Sequence, residues 1–365
     1  MLAFTRRCFA QKPTGPRRGE IILLAQRKLN FADVLIVPQK SFVMSRSQVD
    51  ISCAYEFKYS PHVWNGVPIF SSNMDTVTNI PTAELLAKQE WISIFPKHFN
   101  LEWQDGELPA ILGSTNNYSL SCGTSEADMK LMLKVADRIK TTFGKPVKLI
   151  TVDIANGYLD RLITVCASLR QAMPEAVLIA GNVVNPEGVY ELVHNGSVDV
   201  VKVGIGSGAA CTTRLKTGVG YPQFSAVSEC AEAAASYGAH IISDGGAVYP
   251  GDLAKAFGAN SSFVMLGSML AGHNESPGLL IKDEKSGMMF KEYYGMSSKK
   301  ANEKYAGGLK SYRAAEGKVV HIPLKGDLIE TVLDIEGGIR SACTYVNARS
   351  LQELAQKCCF IEVQA

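Results

Sequence analysis

A glycine-rich loop with one cysteine is the part of the sequence best suited to chemistry. The loop follows the apolar run 200–203 and places Gly204, Gly206 and Gly208 at alternate positions ahead of Cys211. Glycine lets the backbone bend tightly and approach a ligand, because no Cβ stands in the way. A thiol on such a loop, followed by two threonines, suits a nucleophile beside an ion or anion site. The alternative is a tight turn followed by a buried core cysteine.

Eight short apolar runs predict the scaffold that positions this loop. Uninterrupted apolarity is typical of parallel strands covered on both faces, and helical patterns lie between the runs. This alternation favours an α/β fold of eight βα units, a (β/α)₈ TIM barrel. A doubly wound open sheet is the alternative, weakened because no GxGxxG pattern follows the first strand. The predicted strands are 67–70, 91–95, 118–122, 149–152, 177–180, 200–203, 241–243 and 263–266.

Glycine and polar residues follow the C-terminal ends of the predicted strands, where barrel enzymes carry their chemistry. The seventh strand is followed by Asp244-Gly245-Gly246 and the eighth by Gly267-Ser268. Loops at these two positions commonly hold phosphate in this fold, which favours a phosphate site here. Tight βα turns are the alternative explanation for the glycines.

Residues 274–326 do not fit another βα unit. We predict a flap, in the form of a loop or hairpin, laid over the C-terminal face of the barrel. Its Arg313 is suited to bind phosphate and its Glu316 to move protons, although a solvated charged hairpin is the alternative. A helical pattern over 327–342 follows. We therefore expect one catalytic domain over 29–365, with the flap as a part of it.

Composition excludes several classes of protein. The chain has 365 residues, of which 46% are hydrophobic, and a net charge of +2. A net charge this small gives no electrostatic field that would recruit nucleic acid or membrane. Nine irregularly spaced cysteines indicate neither a disulfide scaffold nor a zinc site. Residues 1–28 are predicted to be a basic, disordered N-terminal arm and short extension. Because prolines interrupt its first 19 residues, we expect a cytoplasmic protein, with mitochondrial import as the alternative.

Six motifs, in their order along the chain, resemble the IMP dehydrogenase/GMP reductase family. The resemblance extends from about Leu29 to the C-terminus. The motifs are Asn73-Met74-Asp75-Thr76-Val77, Asp153-Ile154-Ala155-Asn156-Gly157, Cys211-Thr212-Thr213-Arg214, Ile242-Ser243-Asp244-Gly245-Gly246, Tyr294-Gly295-Met296-Ser297-Ser298 and Arg313-Ala314-Ala315-Glu316-Gly317-Lys318.

Two features resemble the reductase branch of the family. The chain leaves no room for the regulatory insert that dehydrogenases carry after the second strand. The flap also lacks the Arg-Tyr pair with which dehydrogenases activate water, and reads Tyr312-Arg313-Ala314-Ala315-Glu316-Gly317 instead. A dehydrogenase without its insert and a non-catalytic purine nucleotide binder remain the two alternatives.

The resemblance implies an enzyme of purine salvage that converts GMP to IMP with NADPH and releases ammonia. Cys211 would attack purine C2 and form a covalent thioimidate, which a hydride then resolves. A thiolate is both a good nucleophile and a workable leaving group, so that one side chain serves both steps. Ammonia must leave protonated, and the resemblance gives Thr213 and Glu316 as the proton relay.

The resemblance also implies a set of binding residues and a homotetramer, in which Ser45 and Arg46 come from a neighbouring subunit. It implies a K⁺ site formed by Gly206, Gly208, Cys211 and Arg214. The substrate-binding residues would be Asp244, Gly245, Gly246, Gly267, Ser268, Gly295, Met296, Ser297, Arg313, Ala314, Ala315 and Gly317. The cofactor-binding residues would be Ser45, Arg46, Lys97, Asp153, Ile154, Ala155, Met296, Tyr312, Arg313, Ser341, Ala342, Cys343 and Thr344.

Some positions depart from the family pattern. Ser207 stands where the family has proline, and Ser268 stands where it has a second glycine. We expect these changes to alter the stiffness of the cysteine loop and the contacts to phosphate. Neither change removes a proposed catalytic group.

Overall fold

The computed structural model describes residues 27–363. The basic segment 1–19, on which the expected cell compartment depends, lies outside the described residues. Within residues 27–363, no helix is both long and apolar enough to cross a membrane. The division of the chain into an arm and one catalytic domain stays a prediction.

The described residues contain fifteen strands and twelve α-helices. The strands are β1 Val34–Ile36, β2 Cys53–Glu56, β3 Val63–Gly66, β4 Ile69–Ser71, β5 Ile92–Phe95, β6 Tyr118–Cys122, β7 Leu149–Asp153, β8 Val177–Val183, β9 Val200–Val203, β10 His240–Asp244, β11 Phe263–Leu266, β12 Leu280–Lys282, β13 Met289–Tyr294, β14 Val319–Pro323 and β15 Phe360–Glu362. The helices are α1 Ile80–Lys88, α2 Phe99–Trp103, α3 Ile111–Ser114, α4 Glu126–Phe143, α5 Asp160–Ala172, α6 Pro186–Tyr190, α7 Thr213–Thr217, α8 Gln223–Ser236, α9 Pro250–Gly258, α10 Lys299–Tyr305, α11 Leu328–Tyr345 and α12 Leu351–Lys357.

Eight parallel strands close into a barrel, which confirms the predicted (β/α)₈ fold. Strands β4 to β11 follow one another around the ring in chain order, and β11 pairs with β4 to close it. Each of the eight predicted apolar runs coincides with one barrel strand. The seven residues of β8, for example, are all buried, as expected for a strand covered on both faces.

Aromatic side chains fill the N-terminal mouth of the barrel. Trp64, on the antiparallel hairpin of β2 and β3, is 2% exposed and packs edge-on against Phe263 of the barrel. Its indole nitrogen donates to Asn117 Oδ1, 3.2 Å away, just before β6. The hairpin therefore closes one end of the barrel and leaves the C-terminal end for ligands.

The outer layer consists of helices whose sequences mark their ends. In α4, the Ser125 side chain accepts a hydrogen bond from the Asp128 amide and caps the first turn. The helix ends at Gly144, whose φ of 69° lies in the left-handed region that favours glycine. Its buried face packs on the barrel through Met132, Val135, Ala136 and Ile139.

The predicted flap is more regular than a single hairpin. Between β11 and α11, the strands β12, β13 and β14 form an antiparallel sheet, and α10 lies between β13 and β14. Tyr293 and Tyr294, at the end of β13, contact Met74 and Asp75, which follow β4. Since that loop follows the C-terminal end of a barrel strand, the flap lies over the C-terminal face, as predicted.

Candidate active site

The cysteine loop leaves β9 in a conformation that requires glycine. Gly204 has a φ of 150°, and a Cβ there would lie 2.0 Å from the carbonyl oxygen of Asp244. Gly206 has a φ of 81°, and a Cβ there would lie 2.6 Å from Arg214 Cγ. The loop thus folds back against both the end of β10 and the helix that follows the thiol. These contacts hold Cys211 at the C-terminal end of the barrel, which is called the barrel mouth from here on.

The thiol begins a chain of two hydrogen bonds. Cys211 Sγ donates to Thr213 Oγ1 over 3.2 Å, and Thr213 Oγ1 donates to Glu316 Oε2 over 2.8 Å. A threonine hydroxyl accepts one hydrogen bond while it donates another, whereas an ionised carboxylate only accepts. The direction of the chain therefore runs from the thiol to the carboxylate, and it joins the three predicted catalytic side chains.

Backbone hydrogen bonds from the flap fix the position of Glu316. The Glu316 carbonyl accepts from the Thr212 amide at 2.8 Å, and the Glu316 amide donates to the Ser297 carbonyl at 3.2 Å. Next to it, Cys211 and Gly317 form an isolated antiparallel bridge. The cysteine loop and the flap are therefore one hydrogen-bonded unit, although about 100 residues separate them in sequence.

One carboxylate, Asp75, ties the end of β13 and the C-terminal end of α10 to the barrel. Its Oδ2 accepts from Tyr294 at 2.6 Å, from Lys304 at 2.9 Å and from Tyr305. Burial, together with the hydrogen bond to this carboxylate, raises the pKa of Tyr305 to about 12, so the phenol stays a donor. The His98 ring stacks on Tyr305 at 3.4 Å between centroids. Burial, with the charge of a neighbouring lysine, lowers the pKa of His98 to about 4 and leaves the ring neutral.

The predicted substrate and cofactor carboxylates meet at a buried lysine. Lys202 Nζ lies 2.7 Å from Asp153 Oδ1 and 3.2 Å from Asp244 Oδ2. Asn73 Nδ2 donates to Asp153 at 2.7 Å, and Asn182 Nδ2 donates to Asp244 at 2.8 Å. Both carboxylates are thus oriented by two donors each, at the mouth of the barrel.

The predicted phosphate loops lie beside a buried phenol. Gly245 and Gly246 have φ values of 92° and 82°, so a Cβ would be strained at either position. A Cβ at Gly267 would lie 3.0 Å from the Tyr293 hydroxyl. That phenol is 4% exposed, its pKa is raised by burial, and its one hydrogen-bond partner among residues 27–363 is the Met74 sulfur at 3.7 Å. A weakly satisfied donor therefore points at the end of the eighth barrel strand.

The predicted purine- and cofactor-binding segments of the flap differ in exposure. Gly295, Met296 and Ser297 are half-buried between β13 and α10, whereas Tyr312 is 85% exposed and Arg313 and Ala314 are also exposed. On the barrel side, Lys97 Nζ lies 3.2 Å from Asp128 Oδ2. Residues 295–297 are thus sheltered near the relay, whereas residues 312–314 are open to solvent.

Two groups of predicted cofactor-binding residues do not reach the relay in the same chain. Ser45 and Arg46 begin a short 3₁₀ helix, Arg46–Gln48, that packs against α11. Residues 341–344 lie in α11, which packs against α9 and α1 in the outer layer, and the Cys343 thiol is fully buried. Among residues 27–363, none of these makes a hydrogen bond to the cysteine loop or the flap.

Three of the four residues predicted to hold K⁺ have the donor chemistry that a cation site needs. Gly206, Gly208 and Cys211 lie on one tight loop and offer backbone carbonyls, the oxygen ligands that K⁺ prefers. The Arg214 guanidinium donates to the Tyr221 carbonyl and so links the two ends of the segment that follows Cys211. Any side chain at Gly206 would collide with Arg214, so the cradle depends on glycine there.

Comparisons with known proteins decide the family. A family model for the "IMP dehydrogenase / GMP reductase domain" matches residues 28–365. The chain belongs to this family. It is 48% identical to human "GMP reductase 2" over 92% of this chain and 94% of the relative. It is 47% identical to "GMP reductase" of Shewanella halifaxensis over 92% and 95%, and 46% identical to mouse "GMP reductase 2" over 92% and 94%.

Membership of the IMP dehydrogenase/GMP reductase family confirms the predicted resemblance, but the site also contains residues that the sequence analysis missed. Lys202 is the one lysine of strand β9, whose other three residues are valines. A charged residue in a predicted buried strand was the signal that could have indicated its role. Tyr293 precedes a motif that was recognised, yet nothing in the sequence indicates that its hydroxyl is buried. Asn182 lies near the end of β8, the fifth barrel strand, and the sequence analysis gave it no role.

Proposed function

We propose that this chain is a GMP reductase, which converts GMP to IMP and ammonia with NADPH as the reductant. The observation that carries the proposal is the hydrogen-bonded relay from Cys211 through Thr213 to Glu316 at the barrel mouth. An identity of 46–48% to GMP reductases over 92% of the chain supports the same reaction.

The relay accounts for both proton transfers of deamination. The thiol proton passes through Thr213 to Glu316, and the thiolate attacks C2 of the guanine ring. The proton held on Glu316 returns through Thr213 to the departing amine, and the C2–N bond breaks to leave a thioimidate on Cys211. One carboxylate thus serves first as base and then as acid.

The second half of the reaction resolves the thioimidate. When bound, NADPH supplies a hydride. Cys211 leaves from C2 as thiolate, which returns IMP and the free enzyme. We place the cofactor at Asp153 and Lys97, which together form the cofactor half-site. The exposed Tyr312 and Arg313 of the flap would lie beside it.

The nucleotide half-site follows from the donors and acceptors at the mouth. We place the ribose hydroxyls on Asp244 and the phosphate on the amides of Gly245, Gly246, Gly267 and Ser268. The weakly satisfied Tyr293 hydroxyl would complete the phosphate site as a further donor. The purine would lie under 295–297 and 313–317.

A direct assay tests the proposal. Purified protein with GMP and NADPH should lose absorbance at the reduced-nicotinamide band and release one ammonia per NADPH consumed. IMP with NAD⁺ or NADP⁺ and no ammonia should give no sustained oxidation. Sustained oxidation of IMP to XMP would instead support a dehydrogenase, and GMP binding without turnover would support a non-catalytic binder.

We also propose that K⁺ occupies the carbonyl cradle of Gly206, Gly208, Cys211 and Arg214. The ion would fix the loop that carries the thiol, and placement of a nucleophile strongly affects rate. Exchange of K⁺ for tetramethylammonium, which is too large for a carbonyl cradle, should lower kcat several-fold, and K⁺ should restore it. A kcat independent of the cation would contradict this assignment.

We propose a homotetramer in which a neighbouring subunit completes the cofactor site. Residues 341–344 lie in α11, and the 3₁₀ helix that begins at Arg46 packs against this helix. Among residues 27–363, none of them makes a hydrogen bond to the relay of its own chain. A second copy would bring this flank to the exposed Tyr312 and Arg313. Cytoplasmic residence, with mitochondrial import as the alternative, stays a prediction.

A further inference from the structure

One buried ammonium lies between the two carboxylates that we assign to substrate and cofactor. Lys202 Nζ is within 3.2 Å of both Asp153 and Asp244, and its side chain is 1% exposed. The carboxylates are about a quarter exposed, at 25% and 23%. A ligand at the C-terminal mouth can therefore reach both carboxylates, whereas the buried lysine is almost inaccessible to it.

The two neighbouring amides, unlike the lysine, each belong to one side. Within the described part of the chain, the Asn73 side chain donates only to Asp153, and the carboxylate that Asn182 contacts is Asp244. The ammonium is thus the donor that the two half-sites have in common among the described residues. A change at Lys202 acts on both carboxylates, and a change at either asparagine acts on one.

We propose that Lys202 is a positioning residue shared by the nucleotide and cofactor half-sites. It holds the ribose-binding Asp244 and the cofactor-binding Asp153 with a single ammonium. The inference rests on the proposed function, which assigns these two carboxylates their ligands.

The energetics favour a role in the site over a role in packing alone. A lysine in a barrel core loses its water, and a well-packed apolar residue of similar volume is often as stable or more so. The other three residues of β9 are valines. Burial by itself would lower the pKa of Lys202, but the charges and hydrogen bonds of the two carboxylates outweigh burial and raise it. The ammonium therefore stays charged between the two carboxylates.

Steady-state kinetics of Lys202→Met tests the proposal. Methionine keeps the length of the side chain and removes the charge, so each carboxylate loses its ion pair. We expect the KM values for GMP and for NADPH both to rise by at least about tenfold, since removal of one partner of a buried charge pair is costly. Lys202→Arg, which keeps the charge, should restore most of both losses.

Two one-sided variants serve as matched controls. Asn73→Ala should raise the KM for NADPH and leave that for GMP within about twofold, and Asn182→Ala should do the reverse. A Lys202→Met enzyme with only one raised KM, or with a lower kcat and both KM values unchanged, would overturn the shared role. Unchanged KM values for both ligands would do the same, as would raised KM values that Lys202→Arg does not restore.

A binding measurement covers the case in which Lys202→Met does not fold. In Asp153→Asn, the ammonium is left to Asp244 alone, and it then competes with the ribose hydroxyls for that carboxylate. GMP affinity without cofactor, measured by calorimetry, should fall by about threefold or more. Unchanged GMP affinity would refute the shared ammonium. Failure of the wild-type enzyme to reduce GMP would instead refute the proposed function, so the two failures are distinguishable.

Discussion

Replacement of Cys211 by alanine should abolish turnover while GMP binding persists. The thiolate forms the covalent bond that lets nitrogen leave, and no other thiol lies in the relay. Loss of a nucleophile in a hydrogen-bonded unit typically lowers kcat by about 10⁴-fold or more. Most of the nucleotide contacts that we assign, on Asp244 and the phosphate loops, remain in the variant. NADPH consumption measures the first effect, and calorimetric titration with GMP measures the second.

A second cysteine variant provides the control for this result. Cys359 is exposed near the C-terminus and takes no part in the described site, so Cys359→Ser should keep wild-type kcat and KM. Intact-protein mass spectrometry of the wild type, quenched during turnover with GMP, should detect a purine adduct on Cys211. The adduct should persist in Cys359→Ser and vanish in Cys211→Ala. Substantial turnover by Cys211→Ala, or an adduct on another residue, would contradict the covalent route.

The barrel was predictable from sequence because its strands carry a strong local signal. A parallel strand covered on both faces is typically apolar along its length, and residues 177–180 and 263–266 satisfy this without interruption. The polar residues that follow each strand also converge without further information, because the strands of a closed barrel end on one face. The contact between the cysteine loop and the end of β10 at Asp244 therefore followed from the fold alone.

The flap sheet carried no such signal. Strands β12 and β14 have no buried residue, with alternating exposed and half-buried positions, so their composition resembles that of a loop. Their pairing with β13 supplies the order that the sequence does not indicate. The prediction of a loop or hairpin was therefore right about position and incomplete about regular structure.

The polar contacts at the C-terminal end of the barrel join residues that are far apart in sequence, so their spacing along the chain does not predict them. Lys202 and Asp153 are 49 residues apart, and Asp75 and Tyr305 are 230 apart. Motif recognition identified the groups that face ligands, and it gave no role to those that act through them. Lys202, Asn182 and the anchor of α10 on Asp75 belong to this second class.

Replacement of Glu316 by glutamine should slow the release of ammonia far more than the resolution of the thioimidate. Glutamine keeps the size of the side chain and the acceptor for the Thr213 hydroxyl, but it cannot take up and return a proton. General acid–base catalysis contributes about 10²–10⁴-fold, and we expect the ammonia-release rate to fall within that range. Rapid-quench measurement of ammonia from one turnover of GMP determines this rate.

Thr213 supplies the matched test of the same relay. Thr213→Val removes the hydroxyl that connects thiol and carboxylate and should reproduce the defect of Glu316→Gln, whereas Thr213→Ser keeps the hydroxyl and should restore most of the rate. Because both residues act in one chain, the double variant Thr213→Val with Glu316→Gln should be little slower than either single variant.

The pH dependence of the two half-reactions in Glu316→Gln distinguishes the role of Glu316 as a base from its role as an acid. Without its base, the thiol must give its proton to solvent, and this becomes easier as the pH rises. Formation of the thioimidate from IMP and NADP⁺, which involves no amine, should therefore recover in Glu316→Gln as pH rises. Ammonia release should not recover, since the leaving amine still lacks an acid and fewer protons are available from solvent. Equal recovery of both half-reactions would show that Glu316 activates the thiol only, and an unchanged ammonia-release rate would remove it from the relay.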